Sequence, residues 1–288
     1  MNSNLNTLIT DLDNTLYDWV GFYSKAFTAM LDRLVVLLQV SREQLVMDFR
    51  EVHRRSGSSE QPFAVLDLPS VKARFPQRTR QELVVELDDV LHAFNASRKD
   101  NLHLYPGVEE ALKYLRARDV AIIAVTDAAM VNAYYRLWVL GIAPLFTRIY
   151  VRDTTWQGHP NATRDEKLRP PAAVVRALPS SLTKPDPRLL ATVLELENVQ
   201  PDQACYVGDS IARDVLMAVR AGVKSAWARY GAEHDASAWA AIVEITHWTR
   251  EDVRREEELA KEAQAVTPDF VLESFADILA VFKREVAR

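Results

Sequence analysis

The chain has 288 residues, 48% hydrophobic and 26% charged, a composition that excludes a disordered polymer and fits a globular protein of one large domain or one domain carrying a smaller insert. Its net charge of −5 comes from interspersed signs, so neither a nucleic-acid backbone nor an anionic membrane is an expected partner. Cys205, the single cysteine, excludes an intrachain disulfide framework and reads as a small residue in a buried strand.

The opening MNSNLNTLIT has no basic or long apolar stretch of the signal-peptide kind, and the best membrane candidate, 31–40, is short and broken by Asp32 and Arg33. A cytoplasmic location is expected. The first apolar run, 8–10, ends at Asp11. Trp19–Leu38 has the spacing of a long amphipathic helix, Ser41 to Gln44 has the form of a capping box opening a second helix that ends near Gly57, and 81–94 places Leu83, Val84, Leu87, Leu91 and Phe94 on one face of a third. With no strand pattern from 18 to 102, that stretch is expected to be an inserted helical cap; the chain re-enters the remaining core (1–17 and 103–288) at Leu104-Tyr105-Pro106-Gly107.

Beyond it, 120–125 (VAIIAV) leads into Thr126 and 204–207 (ACYV) into Gly208-Asp209, with weaker runs at 225–228 and 270–272. Between them, 108–118 and Pro187–Glu197 have helical periods. Short continuous apolar runs alternating with helices predict an α/β fold, a Rossmann-like doubly wound parallel sheet. Two segments exceed ordinary α/β connections: 153–183, a long loop with one helix over 172–177, and 231–267, one or two charged helices, the second capped by Thr249.

Asp11-Leu12-Asp13 sets two carboxylates at i and i+2 just past a strand, where a cation between them relieves their repulsion. Other strand ends and loops add the Thr126 hydroxyl, the Lys184 ammonium, and Asp209 with Asp214, a donor set suited to phosphoryl transfer. In this order the motifs resemble those of the haloacid dehalogenase-like hydrolase superfamily. The resemblance implies a Rossmann-like core with a cap after the first strand, and Mg²⁺-dependent hydrolysis of a small phosphate monoester, such as a nucleoside monophosphate or a sugar or organic acid phosphate. By motif, Asp11 is similar to the nucleophile that becomes phosphorylated, Asp13 to the general acid/base, Thr126 to the phosphate-binding hydroxyl and Lys184 to the charge-neutralising lysine. Mg²⁺ would be held by Asp11, the Asp13 main chain and Asp209, with Asp214 in the outer shell.

Asp127 departs from the family pattern, in which many members carry Asn there; beside a phosphate it must face Lys184 or the cap. Arg54 and Arg55, before the Ser56-Gly57-Ser58-Ser59 turn, are candidates to meet a substrate's second anionic group. The six histidines show no metal-ligand spacing, and the six tryptophans read as packing residues. A phosphomutase is the first alternative, then a 2-haloacid dehalogenase, which would lack the second aspartate, then a non-catalytic binding protein. No feature specifies an oligomeric state.

Overall fold

The computed structural model describes residues 5–61, 63–153 and 170–283. The first strand, β1 (Thr7–Thr10), is followed by helices α1 (Trp19–Leu38), α2 (Arg42–Ser56), α3 (Pro69–Arg74), α4 (Arg80–Glu86), α5 (Asp88–Asn101) and α6 (Val108–Arg116). Strand and helix then alternate through β2 (Ala121–Ala129), α7 (Met130–Val139), β3 (Arg148–Arg152), β4 (Val175–Leu178), α8 (Pro187–Glu197), β5 (Ala204–Gly208), α9 (Leu216–Arg220) and β6 (Lys224–Ala228). The chain continues through α10 (Arg229–Ala232), α11 (Ala236–Ile245), α12 (Arg250–Ala263), β7 (Phe270–Leu272) and α13 (Ile278–Val281).

The seven strands form one parallel sheet in the order β4-β3-β2-β1-β5-β6-β7. Alternation along each strand sends Leu8, Ile122, Cys205 and Val207 into one apolar core, and Ile9, Ile123, Tyr206 and Ala204 into a second on the opposite face. Helices α8 and α9 cover the second core with Leu189, Leu190, Val193 and Met217. The first core runs without a break from α6 and α7 to the helices between β1 and α6, through Leu12, Leu16, Phe22, Leu34 and Phe49. Both faces being covered explains why the strands read as unbroken apolar runs.

Local chemistry sets the helix ends. Asp18 caps α1 by accepting from the Gly21 N–H at 2.7 Å, and Asn14 adds a second cap by accepting from the N–H groups of Trp19 (3.1 Å) and Val20 (3.2 Å). Ser41 Oγ accepts from Gln44 N–H at 3.2 Å, while the Gln44 amide donates to Asp48 at 2.8 Å. The helix expected over 81–94 is two: a Thr79–Glu82 capping box opens α4, the chain breaks at buried Leu87, and Asp88 and Asp89 open α5, where acids favour a helix N-terminus.

One further expectation needs correction. The helix expected over 172–177 is replaced by β4, whose residues Val175 and Leu178 point inward and whose ends bond to β3 through Ile149 N–H to Val174 O (2.9 Å) and Asp153 N–H to Leu178 O (2.7 Å). A short Val-rich run suits either state, and the open edge of β3 decides it. Strand β3 itself (RIYVR) has no counterpart in the sequence reading, because arginines bound its three buried residues. Of the loop expected at 153–183, residues 154–169 lie outside the described residues. The two helices of 231–267 part company: α11 packs on α1 and α2, with His53 Nδ1 2.7 Å from Ile245 O, while α12 lies against the turn after β5. Among the described residues no helix is long and apolar enough to cross a membrane.

Candidate active site

From β1 the chain builds outward through β2, β3 and β4, then returns to place β5 on the other side of β1. That reversal opens a crevice at the carboxyl ends of β1 and β5, the place where doubly wound sheets bind ligands. Asp11 directly follows β1 and is pinned by its N–H to Val207 O at 2.9 Å, while Asp209 directly follows β5. Register thus sets the two carboxylates side by side: oxygen atoms of Asp11, Asp209 and Asp214 lie within 4.8 Å of one another.

Lys184 enters from the loop before α8 and is buried. Its Nζ pairs with Asp11 Oδ1 and lies 2.7 Å from Asp214 Oδ1. Asp214 also accepts from Tyr206 Oη at 2.8 Å and Ser210 N–H at 3.1 Å. This folded-back position needs Gly208: a Cβ there would fall 2.3 Å from Asp214 Cγ. Asp214 therefore aims Lys184, and Lys184 faces Asp11.

The balance of charge is lopsided. With all three carboxylates ionised, one ammonium would leave two negative charges in the cluster. Burial, then Asp214 and Asp13, push the Asp11 carboxyl up to about 7 against the pull of Lys184. Asp209 is also held well above the usual carboxylate range, by burial first and then by Asp214 and Asp11. Burial alone would lower Lys184, but Asp11 and Asp214 outweigh it and hold its pKa well above the ordinary lysine value. A hard divalent cation with oxygen ligands is what such a set of acids accommodates, so the donor chemistry fits Mg²⁺.

Asp13 behaves differently. Its carboxylate accepts from Arg136 Nη1 at 2.8 Å, and the other terminal nitrogen of Arg136 pairs with Glu60. Glu60 also accepts from Trp19 Nε1 at 2.9 Å, and its carbonyl accepts from Asn132 Nδ2 at 3.1 Å. Neither Arg136 nor Glu60 belongs to the motifs legible in the sequence. A signal for Arg136 exists: it lies three residues after Ala133 and one before Leu137, on the buried stripe of α7, where a cation needs a partner. Glu60 carries no such mark in its polar turn.

Thr126 is buried near the end of β2, beside β1, and its Oγ accepts from Ala128 N–H at 3.1 Å. Asp127, expected to face Lys184 or the cap, instead pairs with Arg213 from the turn after β5, 2.7 Å away, which supplies the neutralising charge. Arg54 and Arg55 stay on the exposed last turn of α2, Arg55 lying 3.8 Å from Glu51, apart from these contacts. On the outer side, Trp227 Nε1 donates to Asp209 O at 2.8 Å and Tyr230 Oη to Thr15 O at 2.6 Å. Gly231 comes so close that an added Cβ would sit 1.7 Å from Asn14 O.

The family model described as haloacid dehalogenase-like hydrolase matches residues 5–222, and one described as HAD-hydrolase-like matches 181–278. A glyceraldehyde 3-phosphate phosphatase of Methanopyrus kandleri is 23% identical over 80% of this chain and 87% of its own. A phosphoglycolate phosphatase of Nitrosococcus oceani is 25% identical over 79% of this chain and 85% of its own. A solved 2-haloacid dehalogenase from Pseudomonas syringae shares the fold with a TM-score of 0.57 and 17% identity, covering 96% of this chain and 97% of that one.

Proposed function

Given that the chain belongs to the haloacid dehalogenase-like hydrolase family as a phosphatase-type member, we propose that it hydrolyses a small phosphate monoester with Mg²⁺ through an aspartyl-phosphate on Asp11. The observation that carries this reading is the Asp11–Lys184–Asp214 contact beside Asp209, a carboxylate nucleophile facing a fixed cation within a cluster of three acids and one ammonium. Bound to Asp11, Asp209 and the Asp13 main chain, Mg²⁺ would supply charge neutralisation for the incoming phosphoryl group. Lys184 holds Asp11 for attack on phosphorus and Thr126 offers a hydroxyl to the phosphoryl oxygens. Asp13 gives its proton to the departing alcohol and then takes one from the water that resolves the intermediate.

The names of the relatives support a substrate of small phosphorylated metabolites, with phosphoglycolate and glyceraldehyde 3-phosphate first among the compounds to try. We propose further that residues 18–102 form a cap whose inner surface chooses among them. A cytoplasmic setting suits such substrates. The deciding experiment is phosphate release over a panel of phosphate esters, with Mg²⁺ and in excess chelator. Hydrolysis that continues undiminished in chelator would falsify the metal-assisted route; conversion of a sugar phosphate to an isomer without free phosphate would make the chain a mutase.

A further inference from the structure

Arg136 is a cation sealed inside the protein, its side chain 4% exposed, on a helix whose neighbouring inward residues, Ala133 and Leu137, are apolar. Packing alone would be served as well by an aliphatic side chain, since a buried ion must be repaid by well-made bonds. The bonds it makes are selective. One terminal nitrogen takes Asp13 Oδ1 at 2.8 Å, the other takes Glu60 Oε1, and the guanidinium carbon stands 5.2 Å from the Phe22 ring centre. The planar fork of an arginine serves two carboxylates in fixed directions, which a lysine cannot do.

Glu60 is itself anchored twice more, by Trp19 Nε1 through its side chain and by Asn132 Nδ2 through its carbonyl. Tyr23 Oη adds a bond to the Ser59 carbonyl at 2.5 Å, and the Trp19 and Tyr23 rings stack 5.3 Å apart. The turn between α2 and α3 is thus clamped onto α1 and α7, and its acid closes the far side of the fork. We propose that Arg136 is the positioning residue for Asp13, and that Glu60 is the counter-anchor that keeps the Arg136 fork aimed. Asp13 then points correctly only while the turn at 57–61 is seated. The inference rests on the reading of Asp13 as the acid/base.

When Asp11 attacks, the bond from phosphorus to the ester oxygen breaks, its electron pair stays on that oxygen, and an alkoxide must take the Asp13 proton. A p-nitrophenolate leaves without one. Comparing kcat/KM on p-nitrophenyl phosphate with kcat/KM on the alkyl ester turned over fastest among phosphoglycolate, glyceraldehyde 3-phosphate and the rest of the panel isolates this proton transfer, because kcat/KM reports steps up to the departure of the alcohol. Arg136→Met should cut the alkyl-to-aryl ratio by about tenfold or more, within the range that general acids contribute, and Glu60→Gln by a smaller factor of about three. Loss of folded protein alone lowers both esters equally and leaves the ratio unchanged, and that result overturns the inference. Should Arg136→Met fail to fold, Glu60→Gln decides by the same ratio. Asp13→Asn, run in parallel, separates the two levels. A ratio that falls in Asp13→Asn but holds in the Arg136 and Glu60 variants rejects only the positioning role. A ratio unmoved by Asp13→Asn, or no turnover of any ester by the unmutated protein, rejects the acid/base reading and this inference with it.

Discussion

Two carboxylates separated by one residue, Asp11 and Asp13, live in different kinds of surroundings. The partners of Asp11 come from the sheet and its connections: Lys184 from the loop before α8, and Asp209 after β5 with Asp214 in the following turn, the last two set by the register of β1 and β5. Asp13 is held by a helix residue, Arg136, which is in turn held by Glu60 from a turn between helices. The first arrangement inherits its geometry from hydrogen-bonded strands. The second is conditional on a turn staying seated. Nucleophile and proton carrier therefore fail in different ways.

The largest expected effect is at the sheet-held centre. Asp11→Asn should abolish turnover by about 10⁴-fold or more, as removal of a covalent nucleophile does, with little change in folding. Initial rates on p-nitrophenyl phosphate measure this, and a variant within tenfold of the parent would remove Asp11 from the chemistry. Asp13→Asn should lower kcat by about 10²–10⁴-fold while Mg²⁺ affinity, followed by titration, changes only a few-fold. Collapse of metal affinity with normal turnover at saturating Mg²⁺ would make Asp13 a ligand instead, and would leave the two carboxylates alike in role.

Next comes a change that both centres feel. Gly231→Ala forces a Cβ against Asn14 O, in the loop that carries both acids, so it should destabilise the fold by about 1–3 kcal/mol and reduce turnover. A thermal melt and rate as good as the parent's would show that this loop yields freely.

A pH test reaches the helical side alone. Burial, against the bond to Ile245 O and with help from His247, lowers the pKa of His53 to about 4. A histidine whose folded value lies below its unfolded one, ordinarily near 6.5, contributes stability that is complete above 6.5 and lost as pH falls toward 4. The loss is at most on the order of 3 kcal/mol, and His53→Asn should remove it. The raised carboxyls of Asp11 and Asp209 act oppositely, favouring the metal-free fold as pH falls through about 7, so the parent-minus-variant difference in denaturation midpoints is the quantity to follow. A difference that is flat from pH 7 to 4 would mean that His53 titrates normally. The smallest effect belongs to Arg54 and Arg55. Replacing both with alanine should raise KM for the preferred anionic substrate only a few-fold, roughly 1 kcal/mol, given their exposure. Equal changes on p-nitrophenyl phosphate would assign the pair to folding rather than to specificity.

What could be read beforehand follows the same division. Asp11, Thr126 and Asp209 stand at or near the ends of buried parallel strands, where an unbroken apolar run gives way to a polar residue, and Lys184 sits in the turn that leads into a proline-started helix. Such marks are local, so a sequence displays them. Arg136 and Glu60 meet across 76 positions of chain, and nothing near Glu60 announces that meeting. The break at Leu87 and the strand state of 175–178 were likewise hidden, because each is settled by neighbours brought in by the fold: a core that buries Leu87, and an edge of β3 open to pairing.

The grip of Trp227, Tyr230 and Gly231 on the loop at Asn14 and Thr15 also has a meaning in time. Synthesis delivers Asp11 first and Asp214 much later, and by residue 222 every acid, the lysine and the threonine of the site have been made. The wall that presses the first loop into place has not. A nascent chain arrested at that point carries the complete set of reacting groups with one side of their container missing. Activity should appear during translation only once residue 231 has cleared the ribosome, well after the last reacting group has emerged.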